Sequence, residues 1–74
     1  MQWVNGITPK GEEVLSYFIG LAPVGDEFIL NRKHMKEDLG FGHRSAMSHM
    51  IRNLIWLGYI RRTARSQFMV LRRS

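Results

Sequence analysis

Apolar residues early in the chain fall at Val14, Leu15, Phe18 and Ile19, the i, i+1, i+4, i+5 spacing of one helical face. Thr8-Pro9 stands just before them, and Thr is a good N-cap while Pro is tolerated at the first helical position. Glu12 and Glu13 then lie near the positive end of the helix dipole. The pattern predicts a helix over about 9–21, ended by Pro23 and Gly25. Phe28-Ile29-Leu30 is a short apolar run, read as a brief strand. Asn31 caps a second helix over about 32–39, with Met35 and Leu39 one turn apart on its buried side. Gly40 stands where a left-handed residue is needed after a helix, so that Phe41 folds back onto the core. A third helix spans about 44–57, with Met47, Ile51 and Leu54 inward, Met50 or Leu57 at the edge, and Gly58 closing it. Tyr59–Thr63 and Gln67–Leu71 read as the strands of a hairpin over about 59–71. Their link, Ala64-Arg65-Ser66, is short enough for a hairpin but lacks Gly, Asn and Asp, which leaves the turn type open.

The resulting order is helix, short strand, helix, tight turn, helix, two-stranded hairpin. That is the order of a winged helix-turn-helix domain, an α+β fold, and 74 residues make one such domain. The chain has no cysteine, so neither a disulfide framework nor a thiolate zinc site is expected. No apolar run approaches the roughly 18 residues of a membrane-spanning helix, and no secretory signal pattern opens the sequence. The expectation is a soluble cytoplasmic protein with no membrane partner.

Charge changes the picture more than composition does. Residues 1–38 carry four cations and six anions, a net −2. Residues 39–74 carry seven arginines and no acid, a net +7. A solvated face normally mixes both signs, so a one-sign half points to a polyanionic partner. Arginine adds bidentate geometry toward phosphate and guanine. If Met47, Ile51 and Leu54 face inward, then Arg44, Ser45, Ser48, His49 and Arg52 face outward, where short polar side chains permit close approach to base edges. The same segment also suits an ordinary amphipathic helix, the commonest kind. What favours recognition is the tight turn before it, the basic hairpin after it and the absence of acids across both. A membrane-surface role fits poorly, because so small a domain needs the inner face of this helix for its core. Trp56 is expected to pack against the hairpin or an N-terminal segment.

In the hairpin, strand alternation sends Arg61 and Arg62 to opposite faces, one toward DNA and the other toward the far side or a partner. Arg65 at the tip is expected at the minor groove or a phosphate. The bland alternative is a hairpin edge kept soluble by charge. Arg72 and Arg73 follow the last strand and would add non-specific phosphate attraction.

Residues 8–71 resemble the N-terminal DNA-binding domain of the LexA repressor family. The matching stretches are "ITPKGEEVLSYF" in the opening helix, "LGF" at 39–41 in the turn and "MIRNLIWLGYI" at 50–60 at the end of the third helix. The Leu-x-x-x-Gly ending is shared with MarR-like and other winged-helix regulators. The resemblance implies base contacts from the start of the third helix, at His43, Ser45, Ala46, Ser48 and His49. Several residue types there differ from the family's, so no operator sequence carries over. LexA-like repressors continue into a self-cleaving, dimerising serine-lysine domain, whereas this sequence stops at Ser74. It is therefore more similar to the short regulators of phages, plasmids and other mobile elements.

No catalytic constellation emerges. Ser45 and Ser48 have no nearby lysine, and every carboxylate lies in the first half. Gly40-Phe41-Gly42 is too short to cradle a nucleotide phosphate. His43 and His49 are six apart and share no helix face well, so no metal and no cofactor is expected. His49 instead reads as a polar groove contact that makes binding pH-sensitive. The expectation is a double-stranded DNA-binding protein and not an enzyme, a small transcriptional regulator acting as a homodimer on paired half-sites, with Trp3, Val4 or Trp56 supplying the dimer contact. A DNA-architectural or replication/recombination accessory protein, or a winged-helix protein-docking module, would use the same surface. RNA fits less well, on the ground that no exposed aromatic platform accompanies the arginines.

Overall fold

The computed structural model describes residues 6–74. Three helices and three strands follow one another: α1 (Pro9–Leu21), β1 (Glu27–Ile29), α2 (Arg32–Leu39), α3 (Arg44–Trp56), β2 (Ile60–Ala64) and β3 (Gln67–Val70). The expected bounds of the first two helices match those observed. The third ends one residue earlier, because Leu57 is its C-cap. β1 and β2 are displaced by one residue, to Glu27–Ile29 and Ile60–Ala64, and β3 begins as expected but stops one residue earlier, at Val70.

Local chemistry sets these boundaries. The Thr8 hydroxyl accepts a hydrogen bond from the Gly11 N–H at 3.0 Å, and the Asn31 side chain accepts one from the His34 N–H at 3.0 Å. Each satisfies one of the four N–H groups that a helix start leaves without a partner. Gly40 and Gly58 take the left-handed conformation, with φ of 69° and 82°, which only glycine adopts without strain.

The two glycine corners share a further device. After α2 the chain reads Leu39-Gly40-Phe41, and after α3 it reads Leu57-Gly58-Tyr59. At the first corner, Lys10 Nζ donates to the Leu39 carbonyl at 2.8 Å and lies 4.8 Å from the Phe41 ring centre. At the second, the Arg72 guanidinium donates to the Leu57 carbonyl at 3.1 Å and lies 4.2 Å from the Tyr59 ring centre. A cation from a distant segment thus meets the negative end of each helix dipole and the face of the aromatic that follows it.

The strands form one antiparallel sheet in the order β1-β3-β2. The sequence pattern predicts a short strand and a two-stranded hairpin without saying how they pair. In the structure Glu27, Phe28 and Ile29 pair with Met69, Phe68 and Gln67. The Leu30 N–H to Ser66 carbonyl bond and the Gly25 N–H to Val70 carbonyl bond extend that pairing at both ends. The hairpin link is also shorter than expected: Arg65 and Ser66 alone make the turn, and Ser66 takes φ 62° in place of the usual glycine or asparagine. The register shifts between Arg62 and Ala64, a bulge beside the turn.

One face of the sheet carries Phe28, Ile60, Phe68 and Val70 into the core. Val14, Leu15 and Phe18 of α1, Met35 of α2 and Met47, Ile51 and Leu54 of α3 close over them. α1 and α2 are further tied by the Tyr17 hydroxyl, which donates to Asp38 at 3.0 Å. Trp56 corrects an expectation. It is 85 % exposed and does not pack against the hairpin.

Candidate nucleic-acid interface

The inner arc of α3 is fixed by Met47, Ile51 and Leu54, all buried. Helical phase then sends Ser45, His49, Arg52 and Trp56, at i, i+4, i+7 and i+11, along the opposite side. All four are exposed. Arg44, Ser48 and Ile55 form the flank between this stripe and the core, and Ala46 lies on the other flank with Met50 and Asn53.

Two open clefts run along the first flank. One, of about 240 Å³, is lined by Arg32 of α2, by Ser48, Ile51, Arg52 and Ile55 of α3, and by Arg62 and Phe68 of the hairpin. The other, of about 300 Å³, lies between α2 and α3 and is lined by Arg32, Lys33, Lys36, Arg44 and Met47. Arg32 borders both, so the clefts meet at the start of α2. No Asp or Glu lines either of them. Among the described residues the one ion pair is Lys10–Glu13, at 3.2 Å, so none of these cleft cations is neutralised by a carboxylate.

The α2 cations are the part of this site that sequence reading missed. Counting charge by halves placed Arg32, Lys33 and Lys36 in the acidic half. Their spacing, i, i+1 and i+4, puts them on one flank of α2, away from Asp38, which turns toward α1 and accepts from Tyr17. That segregation was visible in "RKHMKEDL". It acquires meaning only when α2 is laid beside α3.

The start of α3 adds to the positive character. His43 occupies the N-cap position with extended backbone, but its side chain makes no capping bond. The first-turn N–H groups therefore lack the side-chain acceptor that Thr8 and Asn31 supply to the other helices, and such groups favour an anion.

The expected site residues thus separate. Arg44, Ser48, Arg52 and Arg62 are brought together at the clefts, with Ser45 and His49 on the exposed ridge beside them. His43 and Ala46 are exposed but line neither cleft. Arg65 is exposed at the hairpin tip and Arg73 beyond β3. Arg61 pairs with Met69 in register and therefore lies on the sheet face opposite Arg62, which pairs with buried Phe68. Arg72 is held against the Leu57 carbonyl and the Tyr59 ring. Of the candidate dimer contacts, Trp3 and Val4 lie outside the described residues, and Trp56 shares the exposed stripe with Arg52.

Among the described residues, Tyr17 is the group whose titration is clearly displaced. Desolvation raises it above the ordinary tyrosine value of 10.0, and the hydrogen bond to Asp38 and that residue's charge raise it further. It belongs to the α1–α2 contact and not to the clefts. Among the described residues no cluster of His, Asp and Glu is placed to hold a metal ion, and no helix is long and apolar enough to cross a membrane. Compared with known proteins, the chain matches no family model, no curated protein and no solved structure.

Proposed function

We propose that this protein binds double-stranded DNA as a LexA-like winged helix-turn-helix domain, with α3 in the major groove and the hairpin as the wing. The observation that carries this reading is the pair of clefts that meet at Arg32, lined by six cations from three elements and by no carboxylate. Ser45, Ser48 and His49 are the base-reading side chains, and Arg44 and Arg52 contact guanine or phosphate. Arg32, Lys33 and Lys36 hold the backbone on one side of the groove, and Arg62 holds it on the other. Arg65 reaches the next phosphate or the minor groove. One such module buries a small interface, so a regulator of this kind occupies paired half-sites as two copies. The biological role that fits is transcriptional regulation on a mobile element, without cofactor and without catalysis.

A second reading draws on Trp56. RNA fits less well when no exposed aromatic accompanies the arginines, but Trp56 is exposed on the stripe that carries Arg52. Base–aromatic stacking contributes roughly 1–3 kcal/mol per base, so one tryptophan with flanking cations would suit a splayed or unpaired base.

Competition separates the two. A labelled duplex is displaced by unlabelled duplex or by either of its single strands at equal nucleotide concentration. The duplex reading expects the unlabelled duplex to compete better than either strand, because only the duplex presents the groove edges and paired phosphate rows that α3 would contact. Better competition by single strands would replace it with the stacking reading, and no competition by either would leave an acidic protein as the partner.

A further inference from the structure

The outer face of the sheet differs from the cleft face in carrying both signs of charge. Register places Glu27, Met69 and Arg61 in one row across β1, β3 and β2, all pointing away from the helices. Ile29 lies in the next row opposite Gln67, and strand alternation puts Leu71 on the same side beyond Met69. Ile29 is 77 % exposed and Leu71 43 % exposed, and none of the described residues covers them. Neighbouring strands stand about 4.8 Å apart, so Glu27 and Arg61 lie about 10 Å apart at their Cα atoms, across Met69, and among the described residues no ion pair joins them.

We propose that this face binds a second copy of the chain, with Met69 on the two-fold axis and each Glu27 paired to the partner's Arg61. A closed two-fold interface must be self-complementary, with residue i meeting residue j and residue j meeting residue i. The row Glu27–Met69–Arg61 meets that condition. A two-fold axis parallel to β3 and passing over Met69 exchanges the two flanking strands, so each carboxylate comes to lie over the partner's guanidinium. The cleft face cannot serve this purpose, because two copies would bring cation against cation. The outer face carries one charge of each sign and exposed aliphatic surface between and beside them. A three-stranded ladder of this length is at the small end of specific interfaces, below about 1,200 Å² in total, so the dimer forms at micromolar concentration or above.

This inference does not rest on nucleic-acid binding, and its test contains none. Sedimentation equilibrium of the intact chain, from about 20 to about 500 µM to cover the range a small interface requires, is expected to show a monomer–dimer equilibrium. Glu27→Arg and Arg61→Glu should each weaken dimerisation at least about fivefold, since each sets like charges against each other. The double variant E27R/R61E should regain most of the wild-type association, because the swap restores opposite charges at both contacts. Thermal melts of all three check that these exposed substitutions leave the fold intact. A wild-type chain that stays monomeric at the highest concentration overturns the proposal. So does a double variant that associates no better than either single one.

Discussion

Arg61 and Arg62 are neighbours in sequence and stand on opposite sides of one sheet. Arg62 faces α3 and shares a cleft with Arg32 and Arg52, where no carboxylate is present. Arg61 faces outward in a row with Met69 and Glu27, where both signs of charge are present. The residue type is the same, and the backbone phase alone decides what each one meets. A surface of single charge sign has to find its counter-ions in a partner of another kind, whereas a surface of mixed sign can find them in a copy of itself. The molecule therefore separates a face of single charge sign from a face of mixed sign with a strand only five residues long.

The sharpest way to break that contrast is to reverse charge on the cleft face. Combined Arg32→Glu, Arg52→Glu and Arg62→Glu should lower affinity for random-sequence duplex by more than about 100-fold at about 100 mM salt, measured by fluorescence anisotropy. Arg61→Glu alone should change that affinity by less than about threefold, as expected of a charge on the far face and screened by salt. Equal losses from Arg61→Glu and from Arg62→Glu would erase the distinction between the two faces.

A second test divides the cleft face itself. Replacing Ser48 or His49 with Ala should relax sequence preference, whereas Arg73→Ala should weaken all sequences alike and reduce the salt slope by about 1. Selected-site binding compared with random-site binding reads both effects. Trp56 gives a smaller signal. In a Trp3→Phe background, bound duplex should quench Trp56 fluorescence, and Trp56→Ala should cost at most about tenfold in affinity, the lower end of what one aromatic contact contributes.

Stability predictions follow from the corners and are smaller still. Nothing lies within 4 Å of a Cβ added at Gly58, so Gly58→Ala should cost about 1 kcal/mol through its φ of 82° alone, as seen in urea unfolding. Arg72→Ala removes a cap and a cation–π contact at the same corner and should lower the unfolding midpoint measurably, while Arg73→Ala should not. The least effect belongs to Tyr17. Its hydroxyl titrates above 10.0 in the folded chain, so its contribution is present below pH 10 and is lost as pH rises through the folded value. Tyr17→Phe should flatten that part of the stability profile.

Much of this fold is written locally. The caps Thr8 and Asn31 and the positive-φ glycines Gly40 and Gly58 mark the helix ends, because each acts on backbone groups within a few residues. The pairing of β1 with β3 was not legible. It joins segments some forty residues apart, and three residues of β1 carry no signal that specifies a register. The turn type stayed open because Ser66 adopts a conformation that sequence statistics assign to glycine or asparagine. Trp56 was misplaced for a different reason: its size argued for burial, but the phase set by Met47, Ile51 and Leu54 already turned it outward. The cations of α2 were overlooked because their value comes from proximity to α3 and not from any feature of their own segment. The same holds for Arg72, whose partners lie at the end of α3.

The most direct test of the proposed nucleic-acid face is a salt series. Fluorescence anisotropy with a random-sequence duplex, repeated from about 50 to about 200 mM salt, reads the number of phosphates contacted. Four or five contacts from the α2, α3 and β2 cations predict an affinity loss on the order of 10²–10³-fold over that range. Binding that is absent at the lowest salt, or that does not change with salt, would contradict the assignment of this face to nucleic acid.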